Sequence, residues 1–322
     1  MKLSVLLRVY LLMLGILLSP FGHSAEIKPD AVQLLREMSQ SFSQLDYDGV
    51  FIHSEDTRIN SMRVKHELRD GKEYESLVDL DGNKIQVIRV DNTVICVYPN
   101  EAIADKHIVS STPFKRFIGL DSERLKLGYN FVIRPEMGRI AGREAFNIRL
   151  IPKDQYRYSH EIWLDKQNSF LLKHDVIDQS GTLLDRIQFT SVNFTPDLKE
   201  GDFIPKKESY LKKMVEPKPR RIKSHWKFDW LPDGFSLVWP EARALNHGTS
   251  MLLLSDGMAT ISIFVEPVKK EKATSYLSMN ATVAGEKTIK VGKQLYLVTM
   301  VGEVPEVTIE KLMSVFMPKA EL

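Results

Sequence analysis

One cysteine in 322 residues, Cys96, excludes an internal disulfide and any cysteine-rich zinc or iron–sulfur site. Net charge is equally scarce. Lysine and arginine number 44 against 42 acids, and removal of Lys2 and Arg8 with a leader segment leaves 42 of each. A neutral chain lacks the global positive field that accompanies nucleic-acid binding, so nucleic acid is not expected as a partner. Beyond residue 25 no stretch reaches about 18 consecutive apolar residues, the length that a membrane-spanning helix needs. Nucleophile elbows, P-loops, dinucleotide glycine fingerprints and the two-histidine helix motif of metalloproteases are absent as well. After the leader the histidines fall singly, at positions 53, 66, 107, 160, 174, 225 and 247, none at a metal-binding spacing. His160 and Glu161 come nearest to a cluster, yet adjacent residues on a strand point to opposite faces. The expectation is no metal, no cofactor, no catalytic residue and no enzyme.

What is present is ordinary globular composition, 43% hydrophobic and 27% charged, with enough chain for two domains. Residues 1–25 read as a cleaved export signal: Lys2 and Arg8, an apolar run from Val9 to Leu18, then Ser19-Pro20 before small residues. Cleavage after Ser24 and cleavage after Ala25 both fit. The run is too short to anchor the chain, and a soluble exported protein is expected.

Leu34, Leu35, Met38, Phe42 and Leu45 recur at three- and four-residue spacing and predict an amphipathic helix that ends before Asp48-Gly49. From there to Phe194, short runs of Val, Ile, Tyr, Phe and Thr are punctuated by Asp70-Gly71, Asp81-Gly82, Asp91-Asn92 and Ser180-Gly181, which are hairpin signals. Phe146, Ile148 and Leu150 alternate with Asn147 and Arg149, as Leu183, Asp185, Ile187 and Phe189 do with Leu184, Arg186 and Gln188. Such alternation predicts an antiparallel sheet with one packed face. Cys96, in the strand-like run Thr93 to Tyr98, reads as a small buried hydrophobe.

Residues 201–224 form the expected boundary between a large domain, 26–200, and a smaller α+β domain, 225–322. Lys206, Lys207, Lys212, Lys213, Lys218, Arg220, Arg221 and Lys223 crowd there around Pro205, Pro217 and Pro219. These cations either keep a hydrated connector extended or hold phosphates and carboxylates of a ligand. The second domain predicts strands near Phe235–Trp239, Met251–Leu254, Thr260–Val265, Thr288–Val291 and Leu295–Val301. A last helix, with Pro305 as its first residue, follows with Ile309, Leu312, Met313 and Phe316 as its buried stripe. Trp226, Phe228, Trp230, Phe235 and Trp239 supply core, with a minority facing outward as anchors for a bound polypeptide.

The run YDGVFIHSEDTRINSMRVKHELRDGKEYESLVDLDG with the following VIR resembles the opening of the RseB/MucB family of periplasmic sigma-E regulators. The stretch GREAFNIRLIPKDQYRYSHEIWLDKQNSFLLKHDVIDQSGTLLDRIQF is similar to that family's central hairpins. FDWLPDGFSL, LLLSDGMATISIFVEP and VGEVPEVTIEKL resemble its small carboxy-terminal domain. The resemblance covers nearly the whole chain after the leader, in order. It implies a curved, unclosed antiparallel β-barrel with helices, like the lipoprotein carriers LolA and LolB, followed by a smaller α+β domain. It also implies a periplasmic protein that binds the periplasmic segment of a membrane-spanning anti-sigma factor and shields it from proteolysis, with lipopolysaccharide or a related lipid promoting release. Two departures fall at Asn168-Ser169-Phe170-Leu171, where the family commonly carries a proline, and near Gly142-Arg143, where it often has a cysteine and this chain has Glu144 and Ala145.

On that reading the expected partner-binding residues are Trp230, Phe235, Met251 and Phe264. The expected lipid-binding residues are Phe51, Met62 and Val64, with Lys212, Lys213, Arg220 and Arg221 at the phosphates. The rival reading is a periplasmic carrier of lipid or acylated cargo. The sequence leaves homo-oligomer formation open.

Overall fold

Helix α1, Ala31–Gln44, forms where the periodic stripe lies and buries Leu34, Leu35, Met38 and Phe42. The computed structural model describes residues 30–55, 58–82, 85–104, 113–134, 138–205, 209–214 and 220–319. Residues 1–25, expected to be a leader, with His107 and the positions Lys206, Lys207, Pro217, Lys218 and Pro219 of the expected connector, lie outside them. No described helix is long and apolar enough to cross a membrane.

A 12-stranded antiparallel sheet packs on α1. Its spatial order is Tyr210–Met214, Thr93–Tyr98, Gln86–Val90, Lys72–Asp79, Arg58–Arg69, Tyr47–Glu55, Leu183–Asn193, Leu171–Ile177, Ser159–Asp165, Arg143–Pro152 and Tyr129–Ile133, with Gly138–Ile140 also pairing with Arg143–Pro152. The path has two free ends, so the curved sheet is an unclosed barrel. Register breaks at Val50/Phe51, Leu171/Lys173 and Val176/Ile177 are bulges of the kind that bend a sheet. Two short helices, α2 (Glu101–Ala104) and α3 (Ser122–Gly128), and a 3₁₀ turn, Pro113–Phe117, lie between the strands Thr93–Tyr98 and Tyr129–Ile133.

The inner face is closed by aromatics. Phe42 of α1 stacks on Phe114 at 5.2 Å and on Phe117 at 6.1 Å and meets Phe170 at 5.1 Å, while Phe51 lies 5.0 Å from Phe114 and 5.5 Å from Phe189. Rings offset or edge-on in this way bury large areas with favourable quadrupole contacts. Cys96 is buried in its strand, and burial pushes its thiol pKa up.

The expected connector contributes to both sheets. Tyr210–Met214 pairs with Thr93–Tyr98 as an edge of the large sheet, and Arg220–Ile222 pairs with Ala242–Ala244 as an edge of the small one. Edge strands rich in lysine and arginine resist further strand addition. The small sheet has eight strands, in the order Arg220–Ile222, Ala242–Ala244, Ser250–Ser255, Thr260–Val268, Gln294–Gly302, Thr282–Val291 and Ser275–Met279, with Ser236–Leu237 also pairing with Ser250–Ser255. Helix α4, Glu306–Val315, packs Ile309, Leu312 and Met313 on one face of it. Pro305 is extended (ψ 148°) and precedes the helix rather than opening it. Phe316 has left the helix to pair with Phe228, yet stays buried. The strand Ser275–Met279 lacked a legible signal because Leu277 and Met279 are exposed on it.

Candidate functional site

Both sheets fall within one compact unit, and a buried arginine joins them. Arg157 has no exposed surface; its Nη2 donates to Asp154 Oδ2 at 2.8 Å and to Asp233 O at 2.7 Å, and its Nη1 donates to Asp256 Oδ2 at 2.9 Å. Its guanidinium lies over the rings of Tyr129 (5.3 Å) and Phe235 (5.1 Å). Asp256 comes from the Asp-Gly turn between Ser250–Ser255 and Thr260–Val268. Its Oδ1 accepts the N–H groups of Met258 (2.9 Å) and Ala259 (2.8 Å), and its Oδ2 also accepts the Tyr129 hydroxyl at 3.1 Å. A buried ion pair survives desolvation only when its remaining hydrogen-bonding capacity is filled in this manner. The approach requires Gly128, because a Cβ there would stand 1.8 Å from Arg157 Nη1. Gly257, at φ +107°, completes the turn with a backbone that side chains disfavour.

Two further arginines reach across. Arg116, next to the aromatic floor, forms a two-pronged pair with Glu303, one arm at 2.8 Å. Arg124 of α3 donates through Nε to Gly234 O at 2.9 Å and through Nη2 to Ser236 Oγ at 2.7 Å and to Ser255 O. Tyr158 OH donates to Val304 O (3.1 Å) and Thr308 Oγ1 to Tyr156 O (2.9 Å).

Beside this seam opens a groove of about 770 Å³. Ile118 and Leu120 line it from the large sheet's side, Leu237, Val238 and Leu253 from the small sheet's side, and Arg116, Arg124 and Glu303 rim it already paired. Ile118 and Val238, which both line the groove, are 41% and 42% exposed and leave apolar surface open within it. The groove continues onto the sheet face opposite α4. Leu253 neighbours Ser262 and Val301 there, and the next row along holds Arg243, Met251, Phe264 and Thr299. The groove joins apolar side chains with polar ones, Asp121, Ser255 and Thr260 among them, a mixture that suits the side chains and backbone of an extended polypeptide.

The structure brings Met251 and Phe264 together as half-buried cross-strand neighbours continuous with the groove. Trp230 and Phe235 are not brought to it: Phe235 is buried against Arg157, and half-buried Trp230 packs on Tyr156 at 4.8 Å with Lys311 over its ring. Phe51 and Val64 have no exposed surface, and half-buried Met62 packs against the same core. Lys212 and Lys213 stand opposite Cys96 and Ile95 on the large sheet, Lys212 donating to Ala104 O at 2.7 Å, whereas Arg220 and Arg221 belong to the small sheet.

Sequence reasoning missed Arg116, Arg124, Arg157, Asp256 and Glu303. The legible signals were the acid–glycine pairs Asp233-Gly234 and Asp256-Gly257 and the acid three residues before Arg157. It also missed a histidine pair. His160 Nδ1 and His174 Nε2 lie 3.0 Å apart on neighbouring strands, with the Tyr129 hydroxyl 3.5 Å from His160. Burial, then the Arg116 charge, pushes the His160 pKa down to about 3, and burial with His160 beside it pushes His174 well below its ordinary value. The pair is therefore neutral, one ring donating to the other. No group of His, Cys, Asp and Glu fit to hold a metal occurs among the described residues.

Sequence profiles described as the MucB/RseB N-terminal domain and the MucB/RseB C-terminal domain match residues 30–207 and 220–316. The sigma-E factor regulatory protein RseB of Haemophilus influenzae is 30% identical over 310 residues, covering 94% of this chain and 95% of the relative. The sigma factor AlgU regulatory protein MucB of Pseudomonas aeruginosa is 28% identical over 317 residues, covering 96% and 97%. The solved complex of Pseudomonas aeruginosa MucA/MucB matches with a TM-score of 0.74 at 26% identity, over 91% of this chain and all of that one. A structure of MucB alone matches with a TM-score of 0.61 at 25% identity, over 90% of this chain and 98% of that one.

Arg157→Met leaves two carboxylates facing the seam and is expected to lower stability by about 3–5 kcal/mol, the cost of an uncompensated buried charge. Calorimetric unfolding should split from one transition into two as the sheets uncouple. The histidine pair predicts a pH slope. Its folded pKa values lie below the unfolded value of about 6.5, so the unfolded chain binds more protons and stability falls as pH drops below that value. Each histidine contributes up to about 1.4 kcal/mol per pH unit. Urea unfolding between roughly pH 6.5 and pH 4.5 should show this slope, and His160→Gln with His174→Gln should flatten it, leaving a smaller part from His66, which burial also lowers.

Proposed function

The chain belongs to the MucB/RseB family, and from that premise we propose that it is a periplasmic regulator of a sigma-E-type envelope stress response. It binds the periplasmic segment of a membrane-spanning anti-sigma factor and makes the segment's cleavage sequence unavailable to protease. The observation that carries this reading is the two-domain likeness to MucB solved with MucA, spanning both sheets. The likeness to that complex exceeds the likeness to MucB alone.

The docking place in this proposal is the groove with the continuing sheet face. A polypeptide seated there buries apolar anchors against Ile118, Val238, Leu253, Met251 and Phe264 and so excludes protease from its backbone. Release by lipopolysaccharide or a related lipid then requires that the lipid favour a different arrangement of the two sheets, or the same surface. Acyl chains reaching Phe51, Met62 and Val64 would displace the Pro113–Phe117 turn, whose neighbour Ile118 lines the groove; the cations Lys212, Lys213, Arg220 and Arg221 remain the proposed phosphate contacts. That coupling supplies a physical route for release. The carrier reading is weakened because the chain's own aromatics fill the inner face.

Titration calorimetry with the periplasmic segment of the anti-sigma factor from the same organism tests the proposal. Micromolar or tighter binding, about −8 kcal/mol or better, is expected, and added lipopolysaccharide should weaken it. Met251→Ala with Phe264→Ala should cost about 1.4–2.8 kcal/mol of affinity, tenfold to a hundredfold, whereas Trp230→Ala should cost stability and spare affinity. Absence of binding, with lipid co-purifying, would favour the carrier.

A further inference from the structure

The end of the small sheet away from the seam has a charge character of its own. There Thr260–Val268 runs out beside the hairpin that joins Thr282–Val291 to Gln294–Gly302: Val268 pairs with Leu295, and Gln294 Nε2 donates to Val268 O at 3.3 Å. The connector after Val268 is tied to the same hairpin, since Lys272 N–H donates to Thr288 Oγ1 at 3.0 Å and that hydroxyl donates to Lys272 O at 3.2 Å. These contacts gather Lys269, Lys270 and Lys272 next to Lys290 and Lys293, all five exposed. Lys272 has Glu286 at 3.8 Å; among the described residues the other four make no ion pair, and Glu271 is the one acid in the connector. Five lysines stand here against Glu271 and Glu286, so this end carries a local positive field. The turn Leu245–Thr249 lies alongside through Gly248 and Pro267, and Leu245 is 42% exposed.

We propose that this lysine end is a membrane-contact surface that adsorbs to a bilayer carrying anionic phosphodiester headgroups. The chemistry favours a diffuse surface over a shaped ligand. Lysine ammoniums are hydrated point charges without the planar fork that recognises one carboxylate or phosphate, and these stand on hairpin and connector ends rather than in a cleft. Several such charges act together on an anionic membrane within about a Debye length, and an exposed leucine adds interfacial contact. Thr260–Val268 runs nine residues from this end to the seam, so an adsorbed molecule holds its groove about 30 Å from the lipid. The inference goes beyond the partner reading and does not depend on it.

Vesicle co-sedimentation of the purified protein tests it, with phosphatidylcholine vesicles prepared with and without phosphatidylglycerol. The expected result is binding to the anionic vesicles alone, lost at about 0.5 M salt. Charge reversal at Lys269, Lys270, Lys290 and Lys293 should lower partitioning roughly a hundredfold or more. Reversal at Lys72, Lys126, Lys166 and Lys199, the same net change on the large sheet's side, should leave it within about threefold. Circular dichroism melting establishes that each variant folds, and Lys→Gln versions replace any that does not. Equal binding to neutral vesicles, no binding, or equal loss in both variants overturns the proposal. Binding to polyglutamate without vesicle binding overturns it in favour of an acidic polypeptide partner.

Discussion

A guanidinium without exposed surface fixes how the two sheets of this protein meet. Arg157 is satisfied by Asp154 on its own segment, by Asp256 and the Asp233 carbonyl on the other, and by two aromatic faces. Such a pair contributes little net stability beyond what apolar packing would provide, because desolvation offsets most of the attraction. Its consequence is geometric. A guanidinium fork accepts few arrangements of its partners, so the Asp256 turn, Gly128 and the Tyr129 hydroxyl are all placed by it. The groove beside it has walls from both sheets and therefore exists only in this arrangement.

That dependence gives a regulator a means of control without chemistry. A site with walls from two bodies changes affinity when the bodies shift, and a ligand shifts them only by its differential affinity for the two arrangements. The Pro113–Phe117 turn is suited to such coupling, since Phe114 and Phe117 belong to the aromatic floor while Arg116 pairs with Glu303 across the seam. The neutral histidine pair lies near the same residues. His174 meets Phe117 edge-on at 5.0 Å, so core, turn and seam form one packed network.

Much of the fold was legible in the sequence, because local rules and tertiary packing agree there. The stripe from Leu34 to Phe42 became α1, and Asp70, Gly71 and Asp91 adopt the positive φ that hairpin turns require. Ala141-Gly142 forms a comparable turn with a residue that carries no turn preference, and Pro305 stands one place outside the helix it was expected to open. The site was less legible. Met251 and Phe264 are cross-strand neighbours, but nothing local separates them from Phe235, whose burial follows from Arg157, 78 positions away in the chain. His160 and His174 meet only because a hairpin folds their strands together, which spacing along the chain does not reveal. Charged groups that act across a seam leave a weak local pattern, whereas apolar faces repeat.

The central claim is that an anti-sigma segment lies in the groove and along the sheet face that continues it. Hydrogen exchange of the protein with and without the periplasmic segment examines this directly, because a seated polypeptide slows exchange of the backbone it covers. The account predicts new protection at residues 113–121, 236–238, 250–255 and 260–265. Protection confined to the inner face of the large sheet, or no change at these four segments when binding is saturated, would contradict it.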